Sequence, residues 1–555
     1  MKIAVSQLIV RWLEKLGVEV IFGIPGAHIL PVYDALYDSS IKSVLAKHEQ
    51  GAAFMAGGHA RVSGGIGACI ATAGPGATNL VTGIANAYMD RQPLVVITGE
   101  TSTHIFGRGG LQESNGEGGS IDQVVLFAGI TRYHKLIERT DYLPTVLNQA
   151  AKHLLSDTPG PVVLSIPYNV QKDMVEAAIL EQISFTRPSG ECAIGGQAIA
   201  QSVELIRAAK RPVILAGHGC IRSGAQESLR RISERLNIPV TSSLKGSGAF
   251  DERAALALGS LGVTSPGYAM RYLEQEADLL LVLGAGFNER TSYVWDKNLL
   301  TGKKLIQVDN SAQQLEKVFR ADLAIHADLG VYLQALESAV QAGEVAAKPA
   351  VDIAAFIAAA QAQAAAAGET IFNRQFDHVR AFYGWLEQRF PDGLVIFDDN
   401  IVFAQNFYRV SAKDRFHPNT GISSLGHAIP AAIGAGFEID QPLFAVLGDG
   451  GFQMCAMEIM TAVNYAIPLN IVLFNNRTMG LIRKNQHHLY QDRFIDCDFA
   501  NPDYALLAQS LGITHCRVEN WPDLAKLEAL DFRHGINLIE ILLDQDAYPN
   551  YSSRR

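Results

Sequence analysis

The sequence predicts an α/β protein made of three doubly wound parallel-sheet units. Two observations carry that expectation. Short apolar runs alternate with amphipathic helical stretches along the whole chain, the pattern of parallel strands covered by helices on both faces. At 555 residues, with 48% hydrophobic and 18% charged residues, the chain also exceeds what one hydrophobic core ordinarily organises and has apolar side chains for several.

The first unit, residues 1–170, takes its strands from the runs EVIFGIPG, GACIATAGPG, PLVVITGE and PVVLSIP. The second, residues 190–340, takes them from RPVILAGHGC, IPVTSSLKG, DLLLVLGAGFNER and KLIQVDN. Residues 341–370 are rich in Ala and poor in β-branched side chains, which predicts a helical connector. The third unit, residues 371–555, is read from GLVIFDDN, PLFAVLGDGG, LNIVLFNN and INLIEILL. The first and third units read as distant copies of one architecture.

Several function classes are not expected. A net charge of -10 without a basic stripe argues against a nucleic-acid partner, so an anionic ligand must be held locally. Cys69, Cys192, Cys220, Cys455, Cys497 and Cys516 form no CxxC pair and read as reduced thiols, not a zinc cage or disulfide framework. The N-terminal stretch has polar residues at helical intervals and reads as no secretion signal, and no long uncharged apolar run marks a membrane span. The expected compartment is the cytoplasm.

The chemistry begins at GDGG. Asp449 follows the apolar run LFAVLG, which puts it at the C-terminal edge of a strand, where open α/β sheets bind ligands. Gly450 and Gly451 permit close backbone approach, and the following helix offers its N–H groups to an anion. A second strand, LNIVLF, ends in Asn475 and Asn476, so Asn476 returns to the same edge 27 positions (476 minus 449) after Asp449. One carboxylate, one amide and a nearby carbonyl are hard oxygen ligands, suited to Mg²⁺ or Ca²⁺ bridging a diphosphate.

This pairing resembles the signature of the thiamine diphosphate (ThDP) enzymes, GDG followed after about this interval by NN. The resemblance implies Asp449, Asn476 and the carbonyl of Thr478 as ligands of Mg²⁺, with Gly450, Gly451 and Met479 beside the cofactor. In such enzymes a carboxyl group bonded to the aminopyrimidine makes that ring a base. Glu49, in LAKHEQGAAFMAGGHAR, is the candidate, because the small apolar residues around it would bury it. The stretch CIATAGPGATNLVTGIANAYMDRQPLVVITGE is similar to the acetolactate synthase-like branch, in which this glutamate and the metal site come from different subunits. A homodimer, or a dimer of dimers, with the active site at the interface is implied. In GISSLGHAIPAAIGAGF the likeness places Leu425 beneath the thiazolium and the Ser423 backbone at the pyrimidine amine. DDNIVFAQN lacks the branch's usual Gln-His pair, and Asn400 is the substitute.

For the reaction, the resemblance implies decarboxylation of pyruvate, a 2-keto acid, followed by carboligation to a second carbonyl compound. Gln112 stands at the branch's pocket glutamine and Arg290 at its acceptor-clamping arginine, a residue able to grip a carboxylate through two parallel bonds. Asn485 replaces a tryptophan and Leu111 a phenylalanine, which predicts a roomier, more polar pocket. His28 resembles the histidine of benzaldehyde lyase and is read as a proton-transfer group. Extra residues in LQESNGEGGSIDQVV are expected to reshape the entrance. In the middle unit, the glycine turns at 217–219 and 284–286 and Asp309 leave two occupants open, a non-redox FAD or an empty or ADP-type site. Gly286 and Ser311 depart from the flavin pattern. The alternatives are a lyase or decarboxylase of the benzaldehyde lyase or benzoylformate decarboxylase type, and an inactive paralogue serving as a binding subunit.

Overall fold

A computed structural model describes residues 1–186 and 194–551. Cys192, and the expected start of the second unit at residue 190, fall outside those residues; the other five cysteines are free thiols.

Three six-stranded parallel sheets organise the chain. The first runs from Val20–Gly23 to Val162–Pro167 and the third from Val395–Asp398 to Ile536–Leu542. Numbered within each sheet in chain order, both have the strand order 2-1-3-4-6-5, so the two units share one topology. The middle sheet, from Pro212–Ala216 to Leu323–His326, is ordered 3-2-1-4-5-6, the arrangement of dinucleotide-binding folds. Central strands such as Leu94–Glu100 and Leu469–Asn475 are buried along their whole length, which is why they read as continuous apolar runs.

The edges of the units extend beyond their sheets. Met174–Glu176 pairs antiparallel with Lys2–Ala4, and Leu180 and Ile183 join the core of the first unit. The Ala-rich stretch forms the helix Ile353–Ala367, whose Ile353, Phe356 and Ile357 pack on the middle unit.

First and third units share a core. Helix Glu49–Ser63 lies against helix Ala428–Ala435, and at the crossing the backbones touch. A Cβ on Gly58 would lie 1.9 Å from the Ala431 carbonyl oxygen, and one on Gly434 the same distance from that of Met55. Only glycine fits at either point.

Candidate functional site

In both outer units the predicted residues follow the C-terminal ends of strands. His28 follows strand Val20–Gly23, Glu49 follows Lys42–Leu45, and Gln112 lies in the loop after Leu94–Glu100; Thr72, which the sequence did not single out, follows Gly67–Ala71. In the third unit Asn400 follows Val395–Asp398, Leu425 follows Arg415–Pro418, Asp449 follows Leu443–Gly448, and Asn476 follows Leu469–Asn475.

Three polar groups converge beside Asp449. The Asn476 side-chain amide lies 2.9 Å from the Thr478 carbonyl oxygen and 3.3 Å from Asp449 Oδ1, and its nitrogen turned toward them donates to both. With its oxygen turned inward instead, the amide would join the carboxylate and the carbonyl as a hard ligand. The donor set of one carboxylate, one amide and one carbonyl therefore fits a hard cation completed by other oxygens. Asp449 is buried, and its other oxygen accepts from Arg477 N at 2.6 Å and Asn501 Nδ2 at 2.9 Å. Burial pushes its carboxyl up despite those donors. Asn501 also donates to Asn475 Oδ1 at 2.8 Å, so this residue, which sequence spacing does not reveal, orients both ends of the motif.

Around this point, a Cβ on Gly450 would lie 2.6 Å from Met479 Sδ, so the glycine lets Met479 close over the turn. The expected long helix after Asp449 is broken: Asp449–Cys455 is followed by the 3₁₀ turn Ala456–Glu458 and a second helix, Ile459–Tyr465. Ser423 adopts φ of 55°, and Leu425 stays 41% exposed, an apolar residue left facing outward at the sheet edge. Asn400 Oδ1 accepts from Phe403 N at 3.5 Å, beside Asp398, whose fully buried carboxyl is pushed up to about 7 by burial.

Glu49 opens helix Glu49–Ser63 and is buried among Gly51, Ala52 and Ala53. Its Oε2 accepts from Asn79 Nδ2 at 2.9 Å, a partner the sequence reading missed. His28 and Gln112 meet: His28 Nδ1 lies 3.1 Å from Gln112 Oε1. An amide oxygen only accepts, so the ring nitrogen facing it, Nδ1, is the donor in this pair. Thr72 Oγ1 donates to the same amide oxygen at 3.4 Å, and Gln112 takes φ of 57° to reach it. Neighbouring Leu111 is 73% exposed.

Arg290 and Asn485 are placed differently. Among the described residues no hydrogen bond or ion pair joins either to His28 or Gln112. Arg290 lies in the loop after strand Leu279–Leu283, near enough to Tyr551 to influence its hydroxyl. Asn485 is half-buried on helix Gly480–Tyr490. That helix is held by the C-terminal segment, another feature absent from the sequence reading. Arg483 donates to Asp546 at 2.7 Å and to the Tyr548 hydroxyl at 3.1 Å, while the Lys484 ammonium sits 3.5 Å from the Tyr551 ring centre.

In the middle unit the glycine turns pack on each other. A Cβ on Gly217 would lie 2.1 Å from the Gly284 carbonyl oxygen, which accounts for both glycines without a ligand. Asp309 ends strand Lys304–Asp309, with burial pushing its carboxyl up and Ser311 N donating to it at 2.9 Å.

The chain matches three successive family profiles described as thiamine pyrophosphate enzyme: the N-terminal TPP binding domain at residues 3–118, the central domain at 199–336 and the C-terminal TPP binding domain at 399–541. It is 32% identical to a probable acetolactate synthase large subunit of Methanocaldococcus jannaschii, over 97% of this chain and 92% of that one. The acetolactate synthase isozyme 2 large subunit of Escherichia coli K12 is 31% identical, over 97% of this chain and 95% of its own length. The large subunit of Lactococcus lactis is 32% identical, over 98% and 93% respectively.

Proposed function

Because this chain belongs to the thiamine pyrophosphate enzyme family, we propose that it is a ThDP-dependent enzyme of the acetolactate synthase type, decarboxylating pyruvate and joining the resulting two-carbon unit to a second carbonyl compound. The observation that carries the reading is the meeting of the Asp449 carboxylate, the Asn476 amide and the Thr478 carbonyl at one sheet edge, in a chain similar to acetolactate synthases along nearly its whole length.

When bound, ThDP supplies a carbon centre able to stabilise the negative charge left by loss of CO₂. The chain's residues do the rest. Asp449, Asn476 and the Thr478 carbonyl would hold Mg²⁺ against the diphosphate. Glu49, dry and held by Asn79, would exchange a proton with the aminopyrimidine nitrogen. His28 would take or return a proton at the acceptor carbonyl through Nε2, with Gln112 fixing the ring through Nδ1. Arg290 would hold an acceptor carboxylate, and Asn485 and Leu111 would line the acceptor's side.

Exposed apolar side chains, including Leu425, Met454, Met457, Leu111 and Val125, support a covering partner, read here as a second copy in a dimer or dimer of dimers. In the middle unit, Asp309 and the sheet order suit a nucleotide, either FAD or an ADP-type ligand, and flavin absorbance of the purified protein separates the two. The paired His28 and Gln112 favour one second reading, a benzaldehyde lyase-like cleavage of a carbon–carbon bond. Mass spectrometry of products from pyruvate alone, and with a panel of aldehydes and ketones, tests both. Acetolactate or another ligation product supports the proposal; acetaldehyde as sole product, or no turnover with ThDP and Mg²⁺, refutes it.

A further inference from the structure

We infer that Glu458, in the third unit, is a positioning residue for Glu49, gripping the turn on which that carboxylate rides. Glu458 is only 3% exposed. Its Oε1 accepts from the backbone N–H of Lys47 at 3.0 Å and of His48 at 2.9 Å, the two residues immediately before Glu49. Its Oε2 lies 3.2 Å from Lys47 N and accepts from Thr461 Oγ1 at 2.9 Å. Two further contacts from the following helix, Ile459–Tyr465, extend the grip: the Tyr465 hydroxyl accepts from Leu45 N at 2.8 Å, and Thr461 Oγ1 lies 3.4 Å from the Leu45 carbonyl oxygen. Gly51 completes it, because a Cβ there would lie 2.2 Å from Glu458 Oε1.

The physical sense is an N-terminal clamp. Backbone N–H groups entering a helix need acceptors, and a carboxylate meets them with charge-assisted bonds and favours the positive end of the helix dipole. Here the acceptor comes from a different unit, so the orientation of Glu49 depends on the docking of the third unit and not on the first alone. The 3₁₀ turn Ala456–Glu458 that interrupts the expected helix is what turns Glu458 toward this contact. No step of the proposed reaction uses Glu458 directly.

The inference rests on the reading of Glu49 as the cofactor's activator, and the test separates the two. In cofactor-free protein, Glu458→Ala should speed amide hydrogen exchange across residues 45–51 by about tenfold or more, through loss of two bonds to a charged acceptor. Glu458→Gln, which keeps one carbonyl acceptor, should restore most of the protection. In protein loaded with ThDP and Mg²⁺, Glu458→Ala should slow exchange of the cofactor's C2 proton by about tenfold or more, with cofactor affinity changed far less. Unchanged amide exchange at 45–51 overturns the clamp. Faster amide exchange with C2 exchange intact overturns the positioning role. Should wild-type protein not bind ThDP, the functional reading fails while the amide arm still decides the clamp. If Glu458→Ala does not accumulate as folded protein, Thr461→Val and Tyr465→Phe each remove one flanking contact and are read by the same two measurements.

Discussion

Glu100 gives the most quantitative prediction. It ends the fully buried strand Leu94–Glu100; its Oε1 accepts from Thr101 N at 2.7 Å and Ser114 N at 3.1 Å, while Oε2 is buried without a partner among the described residues. Burial first, then the charges of Glu113 and Asp122, push this carboxyl from the usual 4.5 to about 7. Below pH 4.5 it is protonated in folded and unfolded chains alike. Between 4.5 and about 7 the unfolded chain ionises first, so folding stability falls as pH rises, and above that window the loss is constant. A displacement of this size is worth at most about 3 kcal/mol. Glu100→Gln keeps the shape and an acceptor oxygen but cannot ionise. The variant should match or slightly trail wild type at pH 4.5 and gain on it by about 1–3 kcal/mol at pH 8. In thermal unfolding that is roughly 2–4 °C per kcal/mol for a domain of this size. Parallel pH dependences for the two proteins would refute the argument. Ser114 Oγ also donates to the Gln112 carbonyl at 2.7 Å, so the Glu100 site anchors the loop that presents Gln112.

Other predictions follow from single contacts. Glu49→Gln should lower turnover by at least about a hundredfold with circular dichroism unchanged, because it removes a proton-transfer group and little packing; undiminished product formation would contradict the assignment. Asn501→Ala leaves Asp449 and Asn475 without their shared donor and should weaken Mg²⁺ binding, measured by calorimetry with ThDP present, by about 10–100-fold. Gln112→Ala removes the acceptor that fixes the His28 ring and should reduce ligated product relative to CO₂ released, measured in one reaction mixture. Gly58→Val drives a side chain into the Ala431 carbonyl and should prevent accumulation of soluble folded protein, whereas Gly64→Ala, at a helix end with open space around it, costs only about 1 kcal/mol or somewhat more through its φ of 68°.

What the sequence disclosed and what it withheld divide along physical lines. Strands buried on both faces write themselves as apolar runs, so the three sheets and the edge positions of Asp449 and Asn476 could be read directly. Glu49 was legible because its neighbours are too small to be anything but packed. Asn501, Asn79 and Glu458 were not, because their partners lie 52, 30 and 410 positions away and no periodicity links them. The break at Ala456–Glu458 was equally hidden, because apolar spacing continues through it. The C-terminal hold on helix Gly480–Tyr490 depends on where Tyr548 and Tyr551 come to rest, which local propensity does not encode.

The shared strand order of the outer units explains how one scaffold supports two unlike half-sites. In each, the loops after strands 1, 2, 3 and 4 carry the candidate residues, so His28 corresponds in position to Asn400, Glu49 to Leu425, Thr72 to Asp449 and Gln112 to Asn476. Corresponding positions hold Glu49 in one unit and apolar Leu425 in the other, and Thr72 and Gln112 in one and Asp449 and Asn476 in the other. Loop chemistry therefore sets the role while the sheet sets the place. Such a division requires the two units to keep a fixed relation. The backbone contacts at Gly58 and Gly434 and the Glu458 clamp meet that need from opposite directions, one through packing with no spare volume and the other through directed hydrogen bonds. The glycine contacts fix how closely the two helices cross; the clamp holds the end where Glu49 lies.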